Sequence, residues 1–197
     1  AAYPLARCLD GSPGRYYMRQ GDPRTFFIFF EGGGLCTSEA DCRARAGGYL
    51  GSTAKDAATW ETLADPYFSR DAAANPLLAN ATQIYVRYCD GGHYAGDRAA
   101  PVDGLYYRGR SITQALFDDL GAQHGLAGAS TVVLGGCSAG AIRLFAHMDA
   151  LAAAVRAVAP SARTVGFADS GFFMDVPSFT SLFEYEVSAD GQNASSL

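Results

Sequence analysis

The sequence has neither an excess of positive charge nor a long hydrophobic run, and each absence excludes a class of function. Its 15 Lys and Arg residues are outnumbered by 20 Asp and Glu, for a formal net charge of −5. No polybasic cluster stands out, which argues against a surface that binds nucleic acid or anionic lipid. The longest strongly apolar run, FFIFF at 26–30, has the length of a buried strand and is too short to span a membrane.

Signatures of bound metals and organic cofactors are also missing. The sequence contains no C-x-x-C pair, no His-x-x-x-His and no dinucleotide-binding fingerprint. We therefore expect neither a metal nor a cofactor.

The beginning of the sequence and two short motifs indicate an extracellular protein. It starts AAYPLARC, without an initiator methionine or an apolar leader, as in a secreted protein whose signal peptide has been removed. Asn80 and Asn193 each begin a glycosylation sequon. We expect a secreted glycoprotein, and the length of 197 residues with 49% hydrophobic content suits a single domain over 1–197.

The order of predicted elements indicates an α/β fold. Helical patterns at 111–125 and 138–158 lie between strand-like runs, three of which are almost continuously apolar, as in parallel strands covered on both faces. The predicted strands are RYYMRQ (15–20), TFFIFFE (25–31), QIYVRY (83–88), STVVLGG (130–136) and RTVGFAD (163–169).

Ser138 is the strongest candidate for a catalytic residue. The stretch 136–140, GCSAG, matches G-x-S-x-G between a predicted strand and a predicted helix, which is the setting of a nucleophile elbow. The backbone N–H of Ala139 would then face a developing oxyanion. The alternative is a tight turn that contains a structural serine.

A glycine run supports the catalytic interpretation. Gly32, Gly33 and Gly34 follow the apolar strand FFIFF, where hydrolases of this architecture supply further oxyanion N–H groups. A generic glycine-rich turn would look the same when taken alone. The glycine run and the G-x-S-x-G motif each follow a predicted buried strand, and together they favour a hydrolase.

Seven segments in order resemble the pectin acetylesterase family, whose animal branch includes the Notum carboxylesterases. The resemblance implies an α/β-hydrolase fold and a serine carboxylesterase, with Ser138 as nucleophile and Gly33, Gly34 and Ala139 as oxyanion-hole donors. The segments are CLDGSPGRYY (8–17), FFEGGGLC (29–36), VRYCDGG (86–92), GD (96–97), LYYRG (105–109), GCSAG (136–140) and ADSGFFMD (168–175).

The sequence departs from plant members of that family at several positions. Leu35 replaces an aromatic residue, so the acyl pocket is expected to differ in shape. Gly140-Ala141 replaces a doubled glycine, and Met148 and Gly166 stand where plant members carry cysteines. Because both cysteines are replaced, neither is left without a disulfide partner.

The five cysteines allow two disulfides. Cys36 and Cys42 are close enough in sequence to bridge a short loop, and by elimination Cys8 pairs with Cys89. This leaves Cys137 as a buried thiol beside the candidate nucleophile.

A base for Ser138 is difficult to find among the three histidines. His147 follows on the same predicted helix, about 14 Å along its axis, and so cannot reach the serine. His93 precedes Ser138, opposite to the usual order, so we expect it to line a pocket or occupy a solvated loop. His124 lies near a helix end, where a favourable interaction with the helix dipole is sufficient to explain a histidine.

The acid is also undetermined. Asp169 follows a predicted strand and is a candidate pocket residue, but the resemblance places the acid on a later strand. We therefore expect these residues to be the N-terminal portion of the fold. The last strands, with Asp or Glu and His, would come from a segment beyond Leu197 or from a second chain.

Three functions fit this sequence. The first is an O-acetyl esterase acting on extracellular, cell-wall polysaccharide. The second is a Notum-like deacylase of lipidated protein. The third is a non-catalytic binding or structural subunit of an extracellular assembly. Pocket depth and a downstream histidine would discriminate among them.

Overall fold

A computed structural model describes residues 2–59 and 66–173 and contains a five-stranded sheet. The strand order is β1-β3-β2-β4-β5, with β1 antiparallel to β3 and the remaining neighbours parallel. The α/β fold with a mostly parallel sheet is thus confirmed. The strands are β1 (Tyr16–Arg19), β2 (Asp22–Phe30), β3 (Ala81–Val86), β4 (Thr131–Cys137) and β5 (Arg163–Asp169).

Three α-helices accompany the sheet, namely α1 (Glu39–Ala46), α2 (Gly109–Gln123) and α3 (Ala139–Val158). The sequence predicted α2 and α3 but missed α1, because α1 is short and polar and buries only Cys42. Short 3₁₀ turns lie at Pro66–Phe68 and Leu126–Gly128. In the part of the chain described here, no helix is long and apolar enough to cross a bilayer.

Burial on both faces of β2 explains its continuous apolar sequence. Phe26, Ile28 and Phe30 pack with residues of α2 and α3 in the main core. Phe27 and Phe29 face the opposite side, where they pack in a second cluster that includes Phe68 and Tyr67. The strand is therefore fixed in register, and so is the glycine run that follows it.

Both predicted disulfides are confirmed. The Cys8–Cys89 bond ties the N-terminal segment to the loop after β3, and the Cys36–Cys42 bond ties the loop after β2 to α1. Cys137 remains a thiol but is only partly buried, which corrects the expectation of a buried one. It is the last residue of β4, at the edge of the sheet where the strand turns into α3.

Candidate active site

Ser138 occupies a strained turn between β4 and α3. Its backbone angles are φ 53° and ψ −114°, a conformation that side-chain-bearing residues rarely adopt. A Cβ on Gly136 would overlap the Gly140 carbonyl, and a Cβ on Gly140 would overlap the carbonyl of Phe30. The glycines on both sides of the serine are therefore required by close backbone packing, which is the arrangement of a nucleophile elbow.

The glycine run reaches the same point from the neighbouring strand. Phe30, the last residue of β2, pairs with Gly136 of β4, so the two strands end side by side. A Cβ on Gly32 would lie 3.0 Å from the Cβ of Ser138. Gly34 has φ +68°, in the left-handed region that favours glycine. The structure thus brings both glycine motifs into contact.

The backbone N–H groups of this loop form no hydrogen bonds within the described ranges. Across the described ranges, residues 32–35 have no acceptor for their backbone N–H groups, whereas Glu31 and Cys36 on either side donate to Val86 and Gly91. Ala139 is the first residue of α3, where helix N–H groups lack intrahelical acceptors. Donors without an acceptor among the described residues therefore lie on the two segments that meet at Ser138.

The predicted pocket residues lie around this edge of the sheet. Leu35 is buried directly after the glycine run, and His93 is buried in the loop after β3. Asp169 ends β5, where its carbonyl accepts the Ser138 N–H at 3.1 Å and its carboxylate accepts the Ser170 hydroxyl at 3.3 Å. Asp169 therefore contacts the elbow through its backbone.

A buried polar cluster that the sequence did not reveal lies beside the loop after β3. The rings of His93 and His147 stack at a centroid distance of 6.0 Å, and His147 interrupts the regular helical geometry of α3. Arg143, only 5% exposed, and Asp90 complete the cluster. The sequence feature that could have indicated this cluster is Arg143, a charged residue among the apolar residues of α3.

Burial controls the titration of this cluster. Burial is the main reason that the pKa of both His93 and His147 is lowered to about 4; the Asp90 carboxylate opposes this shift at His93, and the Arg143 guanidinium adds to it at both imidazoles. Burial also lowers the pKa of Arg143 to about 10 and raises the pKa of Asp90. Both imidazoles are therefore neutral at pH 7.

No described side chain forms a hydrogen bond with the Ser138 hydroxyl. His147 and His93 face each other, and His124 caps the C-terminal end of α2, with its Nε2 atom 3.6 Å from Asp119 Oδ2. Within 2–59 and 66–173, no group of three or more His, Cys, Asp or Glu could hold a metal ion. Among the described residues, Ser138 therefore lies beside unpaired backbone donors without a hydrogen-bonded base.

Comparison with known proteins identifies the family. The Pectinacetylesterase family profile matches residues 1–188. The chain belongs to the pectinacetylesterase family. It is 35% identical over 178 residues to pectin acetylesterase 7 of Arabidopsis thaliana, with 86% of this chain and 43% of the relative covered.

Relatives from animals bear a second activity name. The palmitoleoyl-protein carboxylesterase notum2 of Xenopus laevis is 30% identical over 174 residues, and the human palmitoleoyl-protein carboxylesterase NOTUM is 28% identical over 171. These alignments cover 87% and 85% of this chain, and 35% and 34% of the relatives. The chain thus spans less than half the length of the curated relatives it matches.

Met148 and Gly166, at which the sequence analysis places a departure from plant members, lie next to each other in the structure. A Cβ on Gly166 of β5 would lie 2.8 Å from Sδ of Met148 on α3. The two positions are therefore neighbours, and the methionine side chain fills the space above the glycine.

The remaining site predictions concern glycosylation. Asn80 is exposed at the turn before β3, where an attached glycan would project into solvent. Asn193 lies outside the described residues.

Proposed function

We propose that this chain carries the nucleophile and oxyanion hole of a serine carboxylesterase. The observation that supports this most directly is the strained Ser138 placed against a loop whose consecutive N–H groups are unpaired among the described residues. A merely structural serine would have no need of either feature. Membership of an esterase family supports the same assignment.

The chemistry follows from this arrangement. Ser138 Oγ attacks the ester carbonyl carbon as its proton passes to a base. The carbonyl oxygen becomes an anion that the N–H groups of Gly33, Gly34 and Ala139 stabilise. The tetrahedral intermediate collapses, the alcohol leaves with a proton, and water then hydrolyses the acyl-serine.

We propose that the base and acid come from outside the described residues, in a segment beyond Leu197 or a second chain that completes the fold. The rings of His93 and His147 stack on each other, and β5 pairs with β4 on one side only among the described strands. An additional strand on the open side of β5 would bring new side chains to the Ser138 edge of the sheet.

Two experiments test these assignments in the natural protein. A fluorophosphonate should label Ser138, and Ser138→Ala should abolish both labelling and ester hydrolysis. If the natural protein is not labelled, the non-catalytic subunit becomes the better interpretation. A chloromethyl ketone that mimics the ester substrate should alkylate the catalytic base. Peptide mapping should then locate the alkylated residue outside 1–197. Alkylation of His93 or His147 would contradict the proposed origin of the base.

For the substrate, we propose acetyl esters of an extracellular polysaccharide. The relatives named pectin acetylesterase are 33–35% identical to this chain, compared with 26–30% for the palmitoleoyl-protein carboxylesterases. The two disulfides fit an oxidising, extracellular compartment.

A groove next to the elbow favours the second candidate, a deacylase of lipidated protein. It is apolar, has a volume of about 850 Å³, and is lined by Ile142, Phe145, Ala168 and Phe172, among others. Hydrolysis of 4-nitrophenyl acetate, 4-nitrophenyl octanoate and acetylated polygalacturonate should be compared. Faster turnover of the octanoate, with no acetate released from the polymer, would favour the deacylase.

A further inference from the structure

We propose that Tyr88 and Arg45 are positioning residues that hold the glycine loop in the orientation of an oxyanion hole. The inference rests on the esterase function proposed above. Both side chains bind carbonyl oxygens of the loop that places its N–H groups near Ser138.

Tyr88 packs against the glycine loop and binds it through a hydrogen bond. It is fully buried after β3, and its hydroxyl donates to the Gly34 carbonyl. The same hydroxyl accepts the backbone N–H of His93 at 3.3 Å. Its ring occupies the place that a Cβ on Gly33 would take, so the loop rests directly on the ring. The Tyr88 side chain thus fixes the position of Gly33 through ring contact and the direction of the Gly34 carbonyl through its hydroxyl.

Arg45 holds the preceding carbonyl from α1. Its Nη1 atom donates to the Gly33 carbonyl at 2.6 Å, while its Nε atom pairs with Asp41 Oδ1 at 3.2 Å. The Cys36–Cys42 disulfide joins α1 to the chain just beyond the loop. The guanidinium is therefore oriented by its own helix and anchored next to the segment it binds.

Peptide planarity converts these two contacts into control of the N–H groups. In a trans peptide the C=O and the following N–H point in opposite directions. Fixing the Gly33 carbonyl therefore orients the N–H of Gly34, one of the proposed donors. Fixing the Gly34 carbonyl restrains the peptide that follows, so Gly34 is held on both sides, by Arg45 and by Tyr88. Glycine peptides rotate easily, so without these contacts the donors would have to be ordered during the reaction.

The two side chains bind carbonyls on the side of the loop opposite the donors. Removing either one should leave substrate binding intact and weaken stabilisation of the transition state. Loss of one oxyanion donor costs on the order of 10²–10³ in kcat, so misorienting one donor should cost roughly 10-fold to 100-fold.

Two variants with matched controls test this in the natural protein, with 4-nitrophenyl acetate as substrate. Tyr88→Phe keeps the ring and removes the hydroxyl, and Arg45→Met keeps the stem and removes the guanidinium. Both should lower kcat and the rate of fluorophosphonate labelling by about 10-fold or more while KM stays unchanged. Arg45→Lys should restore part of kcat, because an ammonium can still donate to the Gly33 carbonyl.

The controls remove similar groups elsewhere. Tyr16→Phe deletes a hydroxyl bound to Asp119, and Arg43→Met deletes a guanidinium paired with Glu39 on the same helix as Arg45. Both should keep wild-type kcat. Thermal unfolding of every variant separates loss of positioning from loss of fold.

The outcomes separate this inference from the proposed function. A natural protein that is neither labelled nor active refutes the function itself. An active protein in which Tyr88→Phe and Arg45→Met keep wild-type kcat refutes only the positioning role. A rise in KM without a change in kcat also refutes it, since that would indicate contact with substrate in the ground state.

Discussion

Gly32 lies directly against Ser138: a Cβ on the glycine would be 3.0 Å from the serine Cβ and 2.6 Å from the Cys137 carbonyl oxygen. The glycine run and the elbow are therefore one packed unit. This contact is possible because β2 and β4 are parallel neighbours, so their C-terminal ends emerge at the same edge of the sheet.

Gly32→Ala should separate the two loops. The added methyl group must displace either the serine or the glycine run, with a stability cost of about 1–3 kcal/mol, as for other overpacked sites. We expect fluorophosphonate labelling of Ser138 in the natural protein to slow markedly. Gly128→Ala is the control, since a Cβ there meets no atom within 4 Å. Labelling of Gly32→Ala at the wild-type rate would show that the two loops are not coupled.

Ser138→Gly should be more stable than Ser138→Ala. Its φ of 53° and ψ of −114° strain any residue that has a Cβ, at a cost on the order of 1–3 kcal/mol. Ser138→Gly should therefore have a free energy of unfolding about 1 kcal/mol above that of Ser138→Ala, after the entropy cost of glycine is subtracted. Both variants should be inactive. Denaturant unfolding measures the difference, and equal midpoints would mean that the turn is unstrained.

The sequence predicted the strands and the two long helices well because their signals are local. Apolar runs such as 26–30 and the helix that follows Ser138 are determined by burial and periodicity within a few residues. The elbow was equally visible, since steric packing requires glycine at Gly136 and Gly140.

Contacts between distant segments could not be predicted from the sequence alone. The Tyr88 hydroxyl meets the Gly34 carbonyl across 54 residues, and nothing in either segment indicates the other. The His93–His147 stack likewise depends on how the loop after β3 packs against α3. Helix α1 escaped prediction because its polar sequence lacks an apolar face.

Stability should fall as the pH decreases from about 6.5 toward 4. In the folded chain burial lowers the pKa of His93 and His147 to about 4, whereas an imidazole in the unfolded chain titrates near 6.5. Within this window the unfolded state binds protons that the folded state does not, so the free energy of unfolding decreases as the pH falls. Arg143 and Arg110 strengthen the effect, because both lower the pKa of His147.

Asp90 acts in the opposite direction. Burial raises its pKa, so protonation of this carboxyl favours the folded state as the pH falls. Urea unfolding at pH 7, 6, 5 and 4.5 should nevertheless show decreasing stability, because over most of this range both imidazoles take up protons only in the unfolded state. His93→Gln/His147→Gln should flatten this dependence. An unchanged slope in the double variant would show that other groups determine it.

Met148 and Gly166 should accept an engineered disulfide. A Cβ on Gly166 would lie 2.8 Å from the Met148 sulfur atom, so cysteines at both positions would place their sulfur atoms between α3 and β5. Closing a loop of this length is worth about 3 kcal/mol in the chain-entropy estimate.

The double variant Met148→Cys/Gly166→Cys should therefore unfold at a higher temperature when oxidised than when reduced. Each single variant is a control for the packing change: Gly166→Cys alone crowds the methionine, and Met148→Cys alone leaves a small void. Non-reducing peptide mapping should find residues 148 and 166 linked and Cys137 still reduced. Two additional titratable thiols in the oxidised double variant would mean that α3 and β5 do not approach as closely as Met148 and Gly166 indicate.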